Sequence, residues 1–182
     1  MMTSNSVTEI KKGSQEWLTP PEVFDPLNEE FNFDLDPCTT RDNHLDTPYY
    51  FTKEDDGLTR DWGSYRNIFI NPPYGFSEKE DGSRKEYLLE KWVRKAYEEI
   101  QIHKHIENIV MLVPAVVSTK WFHQWIWNDE ENEPMWSEEF NFKVEIRFPK
   151  SRIKYLDETG TRRQSPHFDS MIIIFSRLYE PE

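Results

Sequence analysis

Four consecutive residues, Asn71-Pro72-Pro73-Tyr74, follow directly on the short apolar run Asn67-Ile68-Phe69-Ile70. Prolines stiffen a chain and offer no backbone N–H. The carbonyl of Pro72 is therefore available to point into a cleft, and Asn71 brings a side-chain carbonyl as a second acceptor. Two acceptors on one NH2 group hold both of its hydrogens, which draws the nitrogen out of planar conjugation and exposes its lone pair to an electrophile. Tyr74 adds a flat face on which a base stacks, worth about 1–3 kcal/mol. The chemistry that suits this corner is alkylation of an exocyclic amine. The alternative is a proline-rich turn that only ends a strand.

The elements that must hold the corner follow from hydrophobic periodicity. Pro21 suits the first turn of a helix running through Val23, Phe24 and Leu27 toward Phe31, with Pro26 limiting it to short pieces. Phe31 to Asp36 alternates with period two and is predicted as a strand stopped by Pro37. Residues 37–48 read as loop, Tyr49 to Thr52 as a short strand, and Lys53 to Ser64 as a polar connection. Asn67 to Ile70 is a strand. Leu88, Leu89, Trp92, Val93, Ala96, Tyr97 and Ile100 recur at helical spacing. Ile109 to Val113 is apolar throughout, as in a strand buried on both faces. Ser118 is the expected cap of a helix carrying Trp121, Phe122, Trp125 and Ile126, a stripe read as core packing. Phe142 to Phe148 alternates as a strand, Arg152 to Leu156 is its expected hairpin partner, and Ser170 to Phe175 closes the chain. Strand–helix alternation predicts an α/β sheet sandwich. Ligands collect at the carboxyl ends of such strands, where the loops after Asp36 and Ile70 lie.

The sequence resembles a known family. Asn71-Pro72-Pro73-Tyr74 is similar to the signature of S-adenosylmethionine-dependent amino methyltransferases. From about Trp17 to Phe175 the chain resembles the phage-type DNA N6-adenine methyltransferases. The resemblance is carried by Glu16-Trp17-Leu18-Thr19-Pro20-Pro21, Phe33-Asp34-Leu35-Asp36-Pro37-Cys38, Tyr50-Phe51-Thr52 leading to Asp56-Gly57-Leu58, and Asn71-Pro72-Pro73-Tyr74-Gly75. It continues through Trp92 to Ala96, Leu112 to Ala115, Trp121-Phe122-His123, Glu145 to Phe148 and Ser165-Pro166-His167-Phe168. It implies a single Rossmann-like domain over residues 16–182: a mostly parallel seven-stranded sheet with flanking helices and a hairpin near the C-terminus. Residues 1–15 are an expected flexible arm. S-adenosylmethionine is the implied cofactor. Asp36, Pro37 and Cys38 would form its loop after the first strand, Trp17, Thr19 and Pro20 would close over its methionine end, and Asp56 would lie near its adenine, with Asp55 the competing choice. One departure stands out: Cys38-Thr39-Thr40-Arg41 has no glycine where many methyltransferases have a Gly-rich turn. Cys38 reads as a small filler rather than a nucleophile, since methyl transfer to an amine needs no covalent enzyme intermediate.

Composition bounds these expectations. The 182 residues, 36% hydrophobic and 15% aromatic, suit one cored domain and exclude a disordered chain. No apolar run approaches the roughly 18–20 residues of a membrane span, and the N-terminal residues lack a signal-peptide core. The single cysteine excludes an intrachain disulfide and points to a reducing cytosol, a bacterial host's if the gene is a phage's. The net charge of −12 gives no overall nucleic-acid footprint. Yet Lys143 to Arg163 holds seven basic residues against three acidic ones. Lys150, Arg152, Lys154, Arg162 and Arg163, with His167 nearby, are the candidate contacts to double-stranded DNA; the alternative is a solvated hairpin of mixed charge. In-line methyl transfer requires no metal, and His103 and His105 read as helix-end surface residues. The target adenine must flip out of a duplex to reach the corner. No separate recognition domain is visible, so specificity is short, relaxed, or dependent on a homodimer. Two other readings remain open: methylation of RNA amines or of a protein glutamine amide, and a non-catalytic binding protein on the same scaffold. Evasion of host restriction is the role the resemblance suggests.

Overall fold

A computed structural model describes residues 17–77, 86–157, 159–162 and 166–178. The expected N-terminal arm, Glu16, Arg163 and Ser165 lie outside these residues. The first element, α1 (Pro21–Phe31), begins with Pro21 at a position whose N–H has no helical partner in any case. Pro26 does not fragment it, contrary to expectation. Pro26 and Glu22, whose carbonyl loses its usual donor, are both exposed, so water can satisfy that carbonyl. Asn32 ends the helix in the left-handed conformation, φ 52°, with its N–H donating to the Asn28 carbonyl.

The predicted Phe31–Asp36 strand therefore shrinks to β1 (Leu35–Asp36). The alternation of Phe31 and Phe33 reflects an aromatic cluster instead: Phe33 lies 5.8 Å from Phe31 and 5.7 Å from Phe24, and Phe24 is 5.1 Å from Phe69.

The remaining elements are β2 (Tyr49–Tyr50), β3 (Asn67–Ile70), β4 (Phe76–Ser77), β5 (Glu86–Tyr87), α2 (Leu88–Ile102) and β6 (Asn108–Pro114). They are followed by α3 (Lys120–Trp125), β7 (Trp127–Asn128), β8 (Glu133–Pro134), β9 (Trp136–Ser137), β10 (Phe142–Arg147) and β11 (Ser170–Arg177). Seven strands form one sheet in the order β2-β1-β3-β6-β11-β10-β9. The pairings β2–β1, β1–β3 and β3–β6 are parallel, and β6–β11, β11–β10 and β10–β9 are antiparallel. Five of the seven strands consequently point the same way, β11 and β9 being reversed. The last strand enters the sheet between β6 and β10, as a buried strand of unbroken apolar character must.

Two expectations are corrected here. The antiparallel partners of β10 are β11, with Arg147 opposite Ile172, and β9, and not residues 152–156. That segment runs beneath the sheet, where Ile153, Tyr155 and Leu156 are buried and Leu156 bridges to Leu18. Its alternation answers to burial against α1 rather than to strand pairing. Ser118 does not cap α3, which starts after Thr119, whose hydroxyl donates to the Val116 carbonyl at 2.9 Å.

Apolar residues cover both faces of the sheet. On one side Trp62, α2 and α3 pack against Ile68, Ile70, Ile109, Met111 and Val113. On the other, α1 and the 153–155 segment pack against Phe69, Val110, Leu112, Ile172 and Ile174. Each fully buried aliphatic side chain contributes about 1.5–3 kcal/mol relative to exposure. The central strands are thus a rigid platform for the loops at their carboxyl ends.

Candidate active site

β1 and β3 are neighbouring parallel strands, Leu35 standing opposite Ile68. Their carboxyl ends therefore release Asp36-Pro37-Cys38 and Asn71-Pro72-Pro73-Tyr74 side by side. The loops touch: the Cys38 thiol donates to the Asn71 backbone carbonyl at 3.4 Å. Burial raises the Cys38 pKa well above the usual thiol range, and the Asp36 charge adds to that. The neutral thiol acts as a small packing group under the corner.

Asp36 is buried, and its carboxylate accepts from the Cys38 N–H at 3.1 Å. Burial pushes its pKa up to about 7, against the opposing pull of that hydrogen bond. The 55–57 turn packs against this Asp36-Pro37-Cys38 loop. A Cβ placed on Gly57 would stand 2.0 Å from the Pro37 carbonyl oxygen, so only glycine lets the 55–57 turn lie flush against the loop after β1.

The two neighbouring aspartates do different jobs. The Asp55 carboxylate accepts from the Thr52 N–H at 2.9 Å and the Thr52 hydroxyl at 2.8 Å, which hold its pKa below the usual value. It closes its own turn. Asp56 is exposed, at φ 52°, and among the described residues nothing donates to its carboxylate.

The Asn71 side chain is anchored at both ends. Its Nδ2 donates to the Trp17 carbonyl and to Thr19 Oγ1, the latter at 3.0 Å. Its Oδ1 lies 2.5 Å from the Tyr74 hydroxyl, which also stands 3.0 Å from the Leu112 carbonyl. Among the described residues no hydrogen bond reaches the carbonyl of the buried Pro72. The Tyr74 ring meets Phe168 edge-on at 5.6 Å. Burial, with Tyr155 beside it, lifts the Tyr74 pKa well above the usual phenol range. Tyr74 therefore serves as a neutral hydrogen-bonding and packing group.

Sequence reasoning missed several residues around this corner. Tyr155 is fully buried, its hydroxyl 2.9 Å from Ser170 Oγ and its ring 5.7 Å from Trp17. Phe168, which entered the sequence reading through the family resemblance, lies 6.0 Å from Trp17 and links it to Tyr74. The available signal for Tyr155 was the Ile153/Tyr155 alternation within an otherwise charged stretch. His103 also departs from a plain surface position: its Nε2 is 3.4 Å from both Asp61 and Glu99. Glu99 in turn accepts from the Trp62 N–H at 3.1 Å and pairs with Lys95.

The basic segment flanks Tyr155, which lies beside Tyr74. Lys150, Arg152, Lys154 and Arg162 are exposed around an open cleft of about 310 Å³ that also contains Glu22. Arg152 pairs with Asp169 at 2.8 Å and Arg162 pairs with Glu22. Among the described residues Lys150 and Lys154 have no carboxylate partner. His167 is exposed on the neighbouring loop. Lys154 immediately precedes Tyr155, so the rim and the anchored corner share one stretch of chain.

Comparison with known proteins adds four findings. A family model described as DNA N-6-adenine-methyltransferase (Dam) matches residues 5–182. A DNA N-6-adenine-methyltransferase of Haemophilus phage HP1 is 28% identical over 178 residues, 96% of this chain and 85% of the relative. One of Escherichia phage T1 is 32% identical over 107 residues, 58% of this chain, and the matched stretch spans only 38% of that relative. Among solved structures, a candidate class I S-adenosylmethionine-dependent methyltransferase of Listeria monocytogenes is similar over 73% of this chain and 38% of its own, with TM-score 0.41 and 14% identity.

Proposed function

Because the chain belongs to the DNA N-6-adenine-methyltransferase (Dam) family, we propose that it transfers a methyl group from S-adenosylmethionine to the N6 amino group of adenine in DNA. The observation that carries this reading is the pairing of two loops. An acceptor corner made by Asn71 and Pro72 lies against the loop Asp36-Pro37-Cys38, whose buried Asp36 carboxylate suits a cationic cofactor amine.

The residues present fit S-adenosylmethionine. Asp36 supplies a buried carboxylate able to pair with a cationic amine, and Asp56 supplies an unengaged carboxylate for hydroxyl or amino groups at the nucleoside end. Gly57 keeps the 55–57 turn against Pro37, and Trp17 and Pro20 are the residues proposed to close over the methionine end. When bound there, the cofactor supplies an electrophilic methyl group on sulfur.

The chain's own residues do the rest. Asn71 Oδ1 and the Pro72 carbonyl take the two N6 hydrogens, orient the nitrogen lone pair, and stabilise the positive charge that develops on it. Phe168 and Tyr74 offer aromatic surface to the extruded base. Lys150 and Lys154 hold phosphates at the rim, supported by Arg152, Arg162 and His167. Double-stranded DNA is the proposed partner and a host cytoplasm the proposed location; no helix among the described residues is long and apolar enough to cross a membrane. Residues 16–182 form the proposed catalytic domain. A homodimer on the duplex is part of the same reading, and sedimentation with and without DNA reads it directly.

Transfer of radiolabelled methyl groups to duplex DNA, RNA and a glutamine peptide in parallel tests the reading. Label is expected in DNA. Label in the peptide or RNA alone overturns it, and failure to bind S-adenosylmethionine in calorimetry would return the chain to a non-catalytic role.

A further inference from the structure

A carboxamide can accept a hydrogen from a substrate amine only through its oxygen. The two ends of an asparagine side chain have nearly the same shape, so the neighbours decide which end faces the cleft. At Asn71 that choice is made by residues from the far N-terminal side of the described chain. The Trp17 backbone carbonyl accepts only, so it must meet Nδ2. Thr19 Oγ1 receives the second Nδ2 hydrogen at 3.0 Å. Oδ1 is thereby turned toward Tyr74, whose hydroxyl occupies one of its two lone-pair directions at 2.5 Å. One remains for a substrate.

We infer that Thr19 is a positioning residue of the transfer site, its hydroxyl holding the Asn71 carboxamide with Oδ1 toward the substrate amine. The inference rests on the function proposed above and gives Thr19 a different task from contact with the cofactor.

The surroundings of Thr19 suit this task. It is 2% exposed, so water does not compete for Asn71 Nδ2 on that side. Its backbone is pinned from three directions. Leu18 exchanges both hydrogen bonds with Leu156, N–H to carbonyl at 3.0 Å and 2.9 Å. The Pro20 carbonyl receives the N–H groups of Val23 and Phe24 at the start of α1. The carbonyl of Thr19 itself accepts from His44 Nε2 at 2.9 Å. With residues 18 and 20 both fixed, the Thr19 hydroxyl is a rigid stop rather than a mobile ligand. A buried acceptor removed here would leave Nδ2 half-satisfied and let the amide rotate.

Thr19→Val removes the hydroxyl at nearly constant volume, Thr19→Ala does so without the second methyl, and Thr19→Ser keeps it. Expected for Thr19→Val and Thr19→Ala is a kcat at least tenfold lower, with the KM for DNA and S-adenosylmethionine and the calorimetric Kd for the cofactor within twofold of wild type. Thr19→Ser restores kcat to within threefold. Without any ligand, the Asn71 side-chain amide resonances, identified by their loss in Asn71→Ala, shift in the two hydroxyl-free variants and return in Thr19→Ser. Retained kcat with unmoved resonances overturns the inference. So does a weakened cofactor Kd with kcat preserved, which would make Thr19 a cofactor contact. A wild-type chain that methylates no DNA defeats the functional reading instead, and the amide spectra then decide the geometry alone.

Discussion

Gly57 and Pro37 meet backbone to backbone: any Cβ at Gly57 would sit 2.0 Å from the Pro37 carbonyl oxygen and 3.1 Å from the Trp92 ring. The 55–57 turn and the loop after β1 are therefore one surface, and its floor has no room for a methyl group.

Gly57→Ala is expected to force the two loops apart. Overpacking of this kind costs about 1–3 kcal/mol, read as a lower midpoint in denaturant unfolding. The Kd for S-adenosylmethionine is expected to weaken at least fivefold, because Asp36 and Asp56 are carried by the displaced loops. Unchanged stability and affinity would show that the turn does not shape the cleft.

Asp36 gives a pH signature. Its folded pKa of about 7 lies above the ordinary carboxylate value near 3.9 that it has when unfolded. Between those values the unfolded chain binds fewer protons than the folded one, so stability falls as pH rises from about 4 to about 7 and levels off above. The slope approaches about 1.4 kcal/mol per pH unit. Urea unfolding at several pH values is expected to show this contribution in wild type and its loss in Asp36→Asn. Identical pH dependence in both proteins would contradict it. Cofactor affinity is expected to rise across the same window, since the ionised carboxylate pairs with a cationic amine.

The basic rim is read by salt. Each of Lys150→Gln and Lys154→Gln is expected to weaken duplex binding and to reduce the slope of log K against log salt by about 0.9. Arg162→Gln is expected to change the slope less, because Glu22 already pairs with that guanidinium. Fluorescence anisotropy across a salt series measures all three. Slopes equal to wild type in both lysine variants would make the segment an ordinary solvated edge.

Local signals in the sequence located the elements that carry the candidate site. The strand Asn67–Ile70 was legible as a short apolar run cut off by prolines, and the helix from Leu88 by its apolar residues recurring at helical spacing. The corner at Asn71 was legible because two prolines after an apolar strand leave few conformations. What stayed hidden depends on contacts between distant residues. Phe31 and Phe33 alternate like a strand, yet Asn32 turns left-handed between them to close a helix. Arg152 to Leu156 reads as a hairpin arm, yet Tyr155 is drawn under the sheet to Ser170 and Trp17. The division of labour between Asp55 and Asp56 required seeing that Thr52 occupies one of them. Equally, no spacing rule connects Thr19 with Asn71, 52 positions apart.

The corner at Asn71 is proposed to grip the N6 amine of an adenine. The most direct test of this grip is incubation of mixed-sequence duplex DNA with S-adenosylmethionine and either wild type or Asn71→Ala, followed by digestion to nucleosides and mass spectrometry. The account predicts N6-methyladenine from wild type and a yield at least about 100-fold lower from Asn71→Ala, with both proteins unfolding cooperatively. Equal yields from the two proteins, or methyl groups found on another base, would contradict it.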